Sequence, residues 1–127
     1  GVAVSVGKLN RVVKVRLEKQ EWDKRIRKFY PAPYNVLVSD PTNSVREGDV
    51  IKLRNGLRVS KTIHHVVTSI VAPFGIPLSE RPALMTEQKR REEYLKEKIA
   101  KDQRQAERGR VTSIRRLKAM KIPTLKQ

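Results

Sequence analysis

Aromatic and basic side chains alternate in one short segment of the chain, between residues 22 and 34. The segment contains four of the six aromatic residues, which are Trp22, Phe29, Tyr30 and Tyr34. It also contains four cations, which are Lys24, Arg25, Arg27 and Lys28. Cations neutralise phosphates and rings stack on unpaired bases, so this composition is typical of RNA recognition. The aromatics could instead pack a long hairpin. Pro31 and Pro33 predict a shaped loop.

A second polar cluster runs from Arg58 to His65. Hydroxyl groups next to cations offer partners for both phosphate and the ribose 2′-OH, and here they belong to Arg58, Ser60, Lys61 and Thr62. The alternative is the polar start of a strand. His64 and His65 are adjacent, so in an extended strand they point to opposite faces and cannot easily share one metal ion. We predict no metal site.

Catalytic motifs are missing from the sequence. No G-x-S-x-G, Walker-type loop or H-E-x-x-H occurs. A paired-carboxylate site would have to use residues such as Asp40 and Asp49, which lie in predicted turns, where such side chains serve the backbone. We therefore predict that the protein is not an enzyme and needs neither a cofactor nor a small-molecule substrate.

Charge is the dominant feature of the composition. The 127 residues include 29 Lys or Arg and 13 Asp or Glu, a formal net charge of +16. Self-repulsion of this size disfavours a compact chain unless a polyanion relieves it. Nucleic acid is the first candidate and an anionic membrane surface the second. No apolar run approaches the roughly 18 residues of a membrane-spanning helix, and the absence of cysteine excludes disulfides and thiolate sites.

The first part of the chain is predicted to form β-strands. Alternating apolar residues or β-branched runs indicate five strands, near residues 2–6, 13–17, 34–39, 50–53 and 62–71. Asn55-Gly56 predicts a tight hairpin turn between the last two. Five short antiparallel strands suit a small closed barrel, because closure removes exposed edges. The strand pattern alone does not distinguish an oligonucleotide-binding (OB) barrel from an SH3-like barrel.

The remaining residues are predicted to be helical. No Pro or Gly interrupts residues 86–108, Thr86 is a plausible N-cap, and Gly109 is a natural stop. A second, basic helix is predicted around Ile114, Leu117 and Met120, ending before Pro123. We thus divide the chain into a barrel, residues 1–75, and a helical C-terminal extension, residues 76–127.

Three segments in order resemble the family of the seventeenth small-subunit ribosomal protein. Gly7–Val15 looks like its first hairpin, Val38–Ile51 like its acidic turn followed by Gly-Asp and strand four, and Arg58–Thr62 like its Arg-Pro-Leu-Ser-Lys-Thr motif. The resemblance covers about residues 1–72. It departs from the bacterial family in its Trp and Pro-Ala-Pro content near residues 22–33 and in some fifty added C-terminal residues.

The resemblance implies an all-β five-stranded OB-type barrel with an α-helical C-terminal extension, which binds and stabilises the 5′ region of small-subunit ribosomal RNA. Three groups of RNA-binding residues carry over by position: Lys8, Asn10 and Arg11; Lys24, Arg25, Arg27 and Lys28; and Arg58, Ser60, Lys61 and Thr62. We add Lys14, Arg16 and His64 as RNA-binding candidates. The extension is expected to contact RNA or neighbouring small-subunit proteins through Arg110, Arg115, Arg116 and Lys118.

Residues 64–75 look like the fungal mitochondrial branch of the family, which implies the mitochondrial ribosome as the location. No Arg-rich, acid-poor presequence is visible, and the lack of an initiator Met suggests that one was removed.

An OB-fold translation factor or single-strand RNA-binding protein acting in trans is the main alternative. Such modules usually present aromatics on the barrel strands for stacking. Here the predicted strands are aliphatic and the aromatics lie in a predicted loop, which favours duplex and junction binding by a fixed subunit. A peripheral membrane protein is less consistent, because the basic tail lacks the aromatic apolar face of interfacial helices.

Overall fold

A computed structural model describes residues 1–120. In this part of the chain five strands precede two helices: β1 Val2–Leu9, β2 Val12–Asp23, β3 Lys28–Ser39, β4 Val50–Asn55, β5 His65–Ala72, a 3₁₀ turn Leu78–Glu80, α1 Glu87–Glu107 and α2 Val111–Ala119. The chain divides into two compact units, Gly1–Met85 and a second one starting at Thr86. The five-stranded sheet and the C-terminal helices agree with the sequence-based prediction.

The strands form one sheet in the order β1-β2-β3-β5-β4, which closes because β1 also pairs with β4 at Val2 and Val50. β3 and β5 run parallel, so the prediction of antiparallel strands throughout is wrong for this pair, and the other neighbours are antiparallel. Small aliphatic side chains fill the interior, as the alternating pattern predicts. The buried cluster consists of Ala3, Val13, Val15, Val38, Val45, Ile51 and Val67.

The segment between residues 22 and 34 is a strand hairpin rather than a loop, so the loop prediction is wrong, and so is the expectation that the four aromatics lie off the strands. β2 and β3 pair continuously from Val12 and Ser39 to Asp23 and Lys28. Beyond Arg16, β2 pairs with β3 alone among the described residues, and residues 18–33 form a two-stranded segment that we call the ribbon. Within residues 1–120 no further strand pairs with either edge of the ribbon, so the prolines in β3 remove no ladder hydrogen bond from a third described strand.

The tight turn predicted at Asn55-Gly56 is also wrong. β4 ends at Asn55, which pairs with His65, and residues 56–64 form a longer loop. Neither residue of the dipeptide is among those with positive φ in the described part of the chain. The Gly56 N–H donates to the His64 carbonyl at 3.3 Å, and Ile63 is buried. Burial of Ile63 favours the longer loop over the local turn preference, and β5 starts at His65 instead of Thr62.

Arg81 fixes the segment that follows β5. Its guanidinium is buried and forms a two-pronged ion pair with Asp49. It also donates to the carbonyl oxygens of Phe74 and Ile76, both at 2.9 Å, and to that of Ser44 at 3.5 Å. The sequence-based prediction places residues 76–85 in the extension, whereas in the structure they cluster with the sheet in the compact unit Gly1–Met85.

The two helices form a helical hairpin whose ends follow the predicted signals. Thr86 caps α1, with its hydroxyl accepting from the Lys89 N–H at 3.5 Å, and Gly109 ends it with φ of +85°. Leu117 of α2 is buried. Pro123, the predicted limit of the second helix, lies outside the described residues. Within residues 1–120, the helices are too short or too polar to span a membrane.

Candidate nucleic-acid interface

The turn between β1 and β2 carries the first group of predicted RNA-binding residues. Lys8, Asn10 and Arg11 are all exposed. Asn43, in the turn after β3, holds the β1–β2 turn through two hydrogen bonds. Its Oδ1 accepts from the Arg11 N–H at 3.2 Å, and its Nδ2 donates to Asn10 Oδ1 at 3.4 Å. The Asp40 N–H donates to the Arg11 carbonyl at 3.0 Å. The turn is therefore held in one conformation with its cations facing outward.

The loop between β4 and β5 carries another group. Arg58, Ser60, Lys61 and Thr62 are exposed, and His64 is half-buried. The loop is internally bonded, since the Thr62 N–H donates to Ser60 Oγ at 3.4 Å and the Val59 N–H to the Ile63 carbonyl at 3.2 Å. Ser60 thus accepts within the loop, and its own hydroxyl proton remains available to a phosphate or a ribose.

Pairing across three strands brings this loop and the β1–β2 turn to the same end of the sheet. Val13 pairs with Val38, and Val38 pairs with His65. Two strand spacings of about 4.8 Å place the start of β2 about 10 Å from the end of the loop. We call residues 8–11 and 58–64 together the loop end. Lys14 and Arg16 are exposed on β2, where they alternate with the buried Val13 and Val15.

The tip of the ribbon carries the remaining strand-region cations. Lys24, Arg25, Arg27 and Lys28 are exposed. Asp23 shapes the tip, because its Oδ1 accepts from the Arg25 N–H and its carbonyl from the Arg27 N–H, both at 2.8 Å. Arg27 has a φ of +52°. The tip lies ten β2 residues beyond Val13, about 33 Å along an extended strand. The structure therefore does not bring the tip and the loop end together.

The ribbon aromatics lie in a hairpin and still remain accessible. Trp22 and Phe29 are cross-strand partners whose ring centroids are 4.8 Å apart at 62°. Trp22 is 50% exposed and Phe29 is 56% exposed. Tyr30 has the Lys28 ammonium 6.0 Å from its ring centroid. The rings thus contact one another without forming a closed core, and they keep surface for stacking on a partner.

The cations predicted in the extension lie on or beside α2 and differ in their local partners. Arg110 donates to Gln105 Oε1 at 2.8 Å and to Thr112 Oγ1 at 3.1 Å. Arg116 lies 3.6 Å from the buried Asp102 carboxylate. Arg115 and Lys118 are exposed. Part of this positive charge therefore stabilises the helical hairpin itself.

The turn carboxylates hold the backbone, as the sequence indicates. Asp40 Oδ2 accepts from the Val45 N–H at 2.9 Å. Asp49 accepts from the N–H groups of Arg46 and Phe74, both at 2.7 Å. Burial alone raises the pKa of Asp49, but the Arg81 guanidinium and these two N–H donors outweigh it and hold the pKa below its usual value. No cluster of His, Cys, Asp and Glu fit to hold a metal ion occurs in residues 1–120.

The strand region of the chain matches a known protein family. The sequence profile described as Ribosomal protein S17 matches residues 1–69, more than half of the chain. The chain belongs to the ribosomal protein S17 family. It is 43% identical over 84 residues to the Small ribosomal subunit protein uS17m of Neurospora crassa. That alignment covers 66% of this chain and 51% of the relative, so the chain spans about half the length of the curated relative it matches.

The S17 match ends within β5, so it includes the loop end and the ribbon but not α1 or α2. Every candidate from Lys8 to His64 therefore lies in the family region, and the candidates from Arg110 onward lie outside it.

Sequence reasoning did not single out three residues that organise the first compact unit, Gly1–Met85. Arg81 is buried, although an arginine next to a proline gives no such indication. Asn43 lies in a Pro-Thr-Asn-Ser turn and Asp23 directly precedes the basic cluster, and both are residue types that bond nearby backbone. These two could have been found from their positions. Arg81 could not, because its partners are 5 to 37 residues away.

Proposed function

We propose that this chain is a structural component of the mitochondrial small ribosomal subunit that binds and stabilises the 5′ region of small-subunit ribosomal RNA. Membership of the S17 family supports this role, and so does the name of the Neurospora crassa relative. The formal net charge of +16 fits a chain surrounded by phosphates. Its proposed partners are that RNA and, through the C-terminal extension, neighbouring ribosomal proteins.

We further propose that the closed sheet is an OB-type barrel. The strand order β1-β2-β3-β5-β4, with parallel pairing of β3 and β5, supports this assignment. In OB folds the loop between strands one and two and the loop between strands four and five flank the oligonucleotide surface. The corresponding loops here form the loop end.

The observation that carries the proposal is the placement of the cations. All predicted cations from Lys8 to Lys61 are exposed, and they are concentrated at the loop end and at the ribbon tip, about 33 Å apart along β2. Two separated positive ends on one pair of strands suit a junction, where the phosphates of two RNA helices approach a common protein.

Stability of the ribbon supports the same conclusion. A two-stranded hairpin is marginal in water when no third strand or helix covers it. Residues 18–33 are largely exposed on both faces. Contact with folded RNA would supply the missing surface, and four cations at the tip make phosphate a favourable neighbour.

Salt dependence of RNA binding tests the proposal directly. The full chain is titrated against a transcript of the 5′ region of small-subunit RNA at several salt concentrations. If about 6–10 phosphates are neutralised, log K falls against log salt with a slope of roughly −0.7 to −0.9 per phosphate. A nearly flat dependence contradicts the proposal.

Charge removal tests the placement of the interface. Replacing Lys24, Arg25, Arg27 and Lys28 by Gln should weaken RNA binding at least about tenfold. The slope of log K against log salt should become about three less negative. The matched control replaces four exposed cations of α1 by Gln: Lys89, Lys96, Lys101 and Arg104. Equal losses in both variants would show that the ribbon tip is not a preferred contact.

Sedimentation separates a fixed subunit from a factor acting in trans. A ribosomal component remains with the mitochondrial small subunit through moderate salt, whereas a factor is washed off. Crosslinking of the intact particle then identifies whether α1 and α2 contact RNA or protein.

A further inference from the structure

A shallow depression of about 360 Å³ lies on the outer surface of the sheet, apart from the ribbon tip. Its lining includes Val4, Ser5, Lys8, Leu9, Lys14 and Leu37. Val4 is 48% exposed and Leu9 is 55% exposed, so apolar surface is open to solvent here. Lysines from two adjacent strands share this lining. We call this depression the β1 cup.

Two irregularities in β1 build the cup. Ala3 pairs with Val15 and faces the core, but the register then shifts, so that Ser5 pairs with Lys14 on the outer face. A second shift lies between Val6 and Leu9. Regular alternation would turn every second residue of this strand inward. Bulges that re-aim side chains are typical of binding sites.

Ser5 supplies the polar feature of the cup. Its hydroxyl oxygen is buried and has no hydrogen-bond partner within residues 1–120. A buried polar atom without a partner is costly, and natural structures retain few of them. Ligand contact with this oxygen requires the lining to rearrange, and the lysines of the lining have flexible stems. Glu47 also lines the cup, but its carboxylate already accepts from the Val6 N–H at 3.3 Å and holds the second irregularity.

We propose that the β1 cup binds one unpaired nucleotide of the RNA. The base lies against Val4 and Leu9, its polar edge hydrogen-bonds to Ser5, and Lys8 and Lys14 contact the flanking phosphates. The inference rests on the proposed function and adds to it a contact that reads a base rather than the backbone alone. An apolar side chain of a neighbouring protein fits the open surface less well, because it leaves the Ser5 hydroxyl without a partner and gives the two lysines no anion.

The variant Ser5→Val tests the base contact in the full chain, with the same 5′-region transcript as probe. It removes the hydroxyl and keeps a side chain suited to a strand. We expect roughly three- to tenfold weaker RNA binding, with an unchanged salt slope because no phosphate contact is lost. Thermal stability should stay equal or rise, since an unpaired buried hydroxyl disappears. The matched control is Thr68→Val, at an exposed hydroxyl on β5, and should change affinity by less than about twofold.

Lys14→Gln tests the phosphate contact and should reduce the salt slope by about 0.7 to 0.9. If both residues contact the same nucleotide, the double variant with Ser5→Val should lose less affinity than the two single losses predict together. Photocrosslinking with a 4-thiouridine-substituted transcript should label the tryptic peptide 1–8.

Two results would overturn the inference. One is equal affinity of Ser5→Val and the unchanged chain. The other is a crosslink from peptide 1–8 to a ribosomal protein, in place of RNA, in the assembled subunit. Failure of the unchanged chain to bind the transcript would instead refute the proposed function, so the two failures are distinguishable.

Discussion

Replacing Arg81 measures how much its buried contacts contribute to the free energy of unfolding of the first compact unit. Arg81→Met removes a buried guanidinium that pairs with Asp49 and donates to three carbonyl oxygens. Methionine keeps much of the volume but leaves the Asp49 carboxylate buried without its cation. Breaking one side of a buried ion pair costs about 3–5 kcal/mol. We expect a loss of this size in the free energy of unfolding of the first compact unit.

The loss should depend on pH in a defined direction. In the unchanged chain the pKa of Asp49 is held below its usual value, so the unfolded state binds a proton at higher pH than the folded state. The stabilisation from this pair is fully present above the usual pKa and is lost as the pH falls through the lowered one. The difference between the unchanged chain and Arg81→Met should therefore be largest near neutral pH and narrow below about pH 4.

Urea denaturation followed by far-UV circular dichroism measures the total effect at each pH. Amide hydrogen exchange at Val13, Val38 and Val67 assigns it to the sheet, because these residues are in its core. Arg91→Met is the control, since it breaks an exposed ion pair with Glu87 at 2.7 Å and should cost only about 0.5 kcal/mol or less. A loss below about 1 kcal/mol at neutral pH, or a loss that stays constant down to pH 3, would refute the reasoning.

Three further variants test separate parts of the structure. Gly48→Ala should destabilise the sheet by about 1–3 kcal/mol, because Gly48 has a φ of +89° and a new Cβ would lie 2.9 Å from Phe74 Cδ1. Urea denaturation measures this loss, and an unchanged midpoint would contradict the prediction. Leu117→Ala should cost the helical hairpin about 2–5 kcal/mol, seen as earlier thermal loss of helical dichroism with unchanged exchange in the sheet core. Arg27→Gly suits the local φ of +52° and should keep the ribbon tip folded. The slope of log K for RNA binding against log salt should become about 0.7 to 0.9 less negative. An unchanged slope would show that this cation contacts no phosphate.

Much of the surface chemistry was predictable from residue types alone. Lys8, Lys24 and Lys61 are exposed because charged side chains are rarely buried without a partner. The ends of α1 were predictable for a related reason, since Thr86 and Gly109 act on backbone groups within one turn of themselves. A contact can be predicted from the sequence pattern when the two groups that form it lie within a few residues of each other.

The strand lengths were harder to predict because local preferences conflicted with tertiary pairing. Pro31 and Pro33 indicate a loop, yet β3 runs through both because its cross-strand pairing with β2 is continuous. Asn55-Gly56 indicates a tight turn, yet burial of Ile63 requires a longer loop. In each case a tertiary effect, strand pairing in the first and side-chain burial in the second, outweighed a local preference of a few tenths to about one kcal/mol.

The sequence by itself determined that this chain carries a large positive charge on small aliphatic strands followed by helices, because composition and periodicity are properties of the chain as written. Only the tertiary structure decided how the charges are grouped: the loop end is assembled by pairing across β2, β3 and β5, and the ribbon tip is held far from it. Only the tertiary structure decided that Arg81 is buried and that Ser5 lies on the outer face of the sheet. Both outcomes depend on strand register and on partners that meet when the sheet closes.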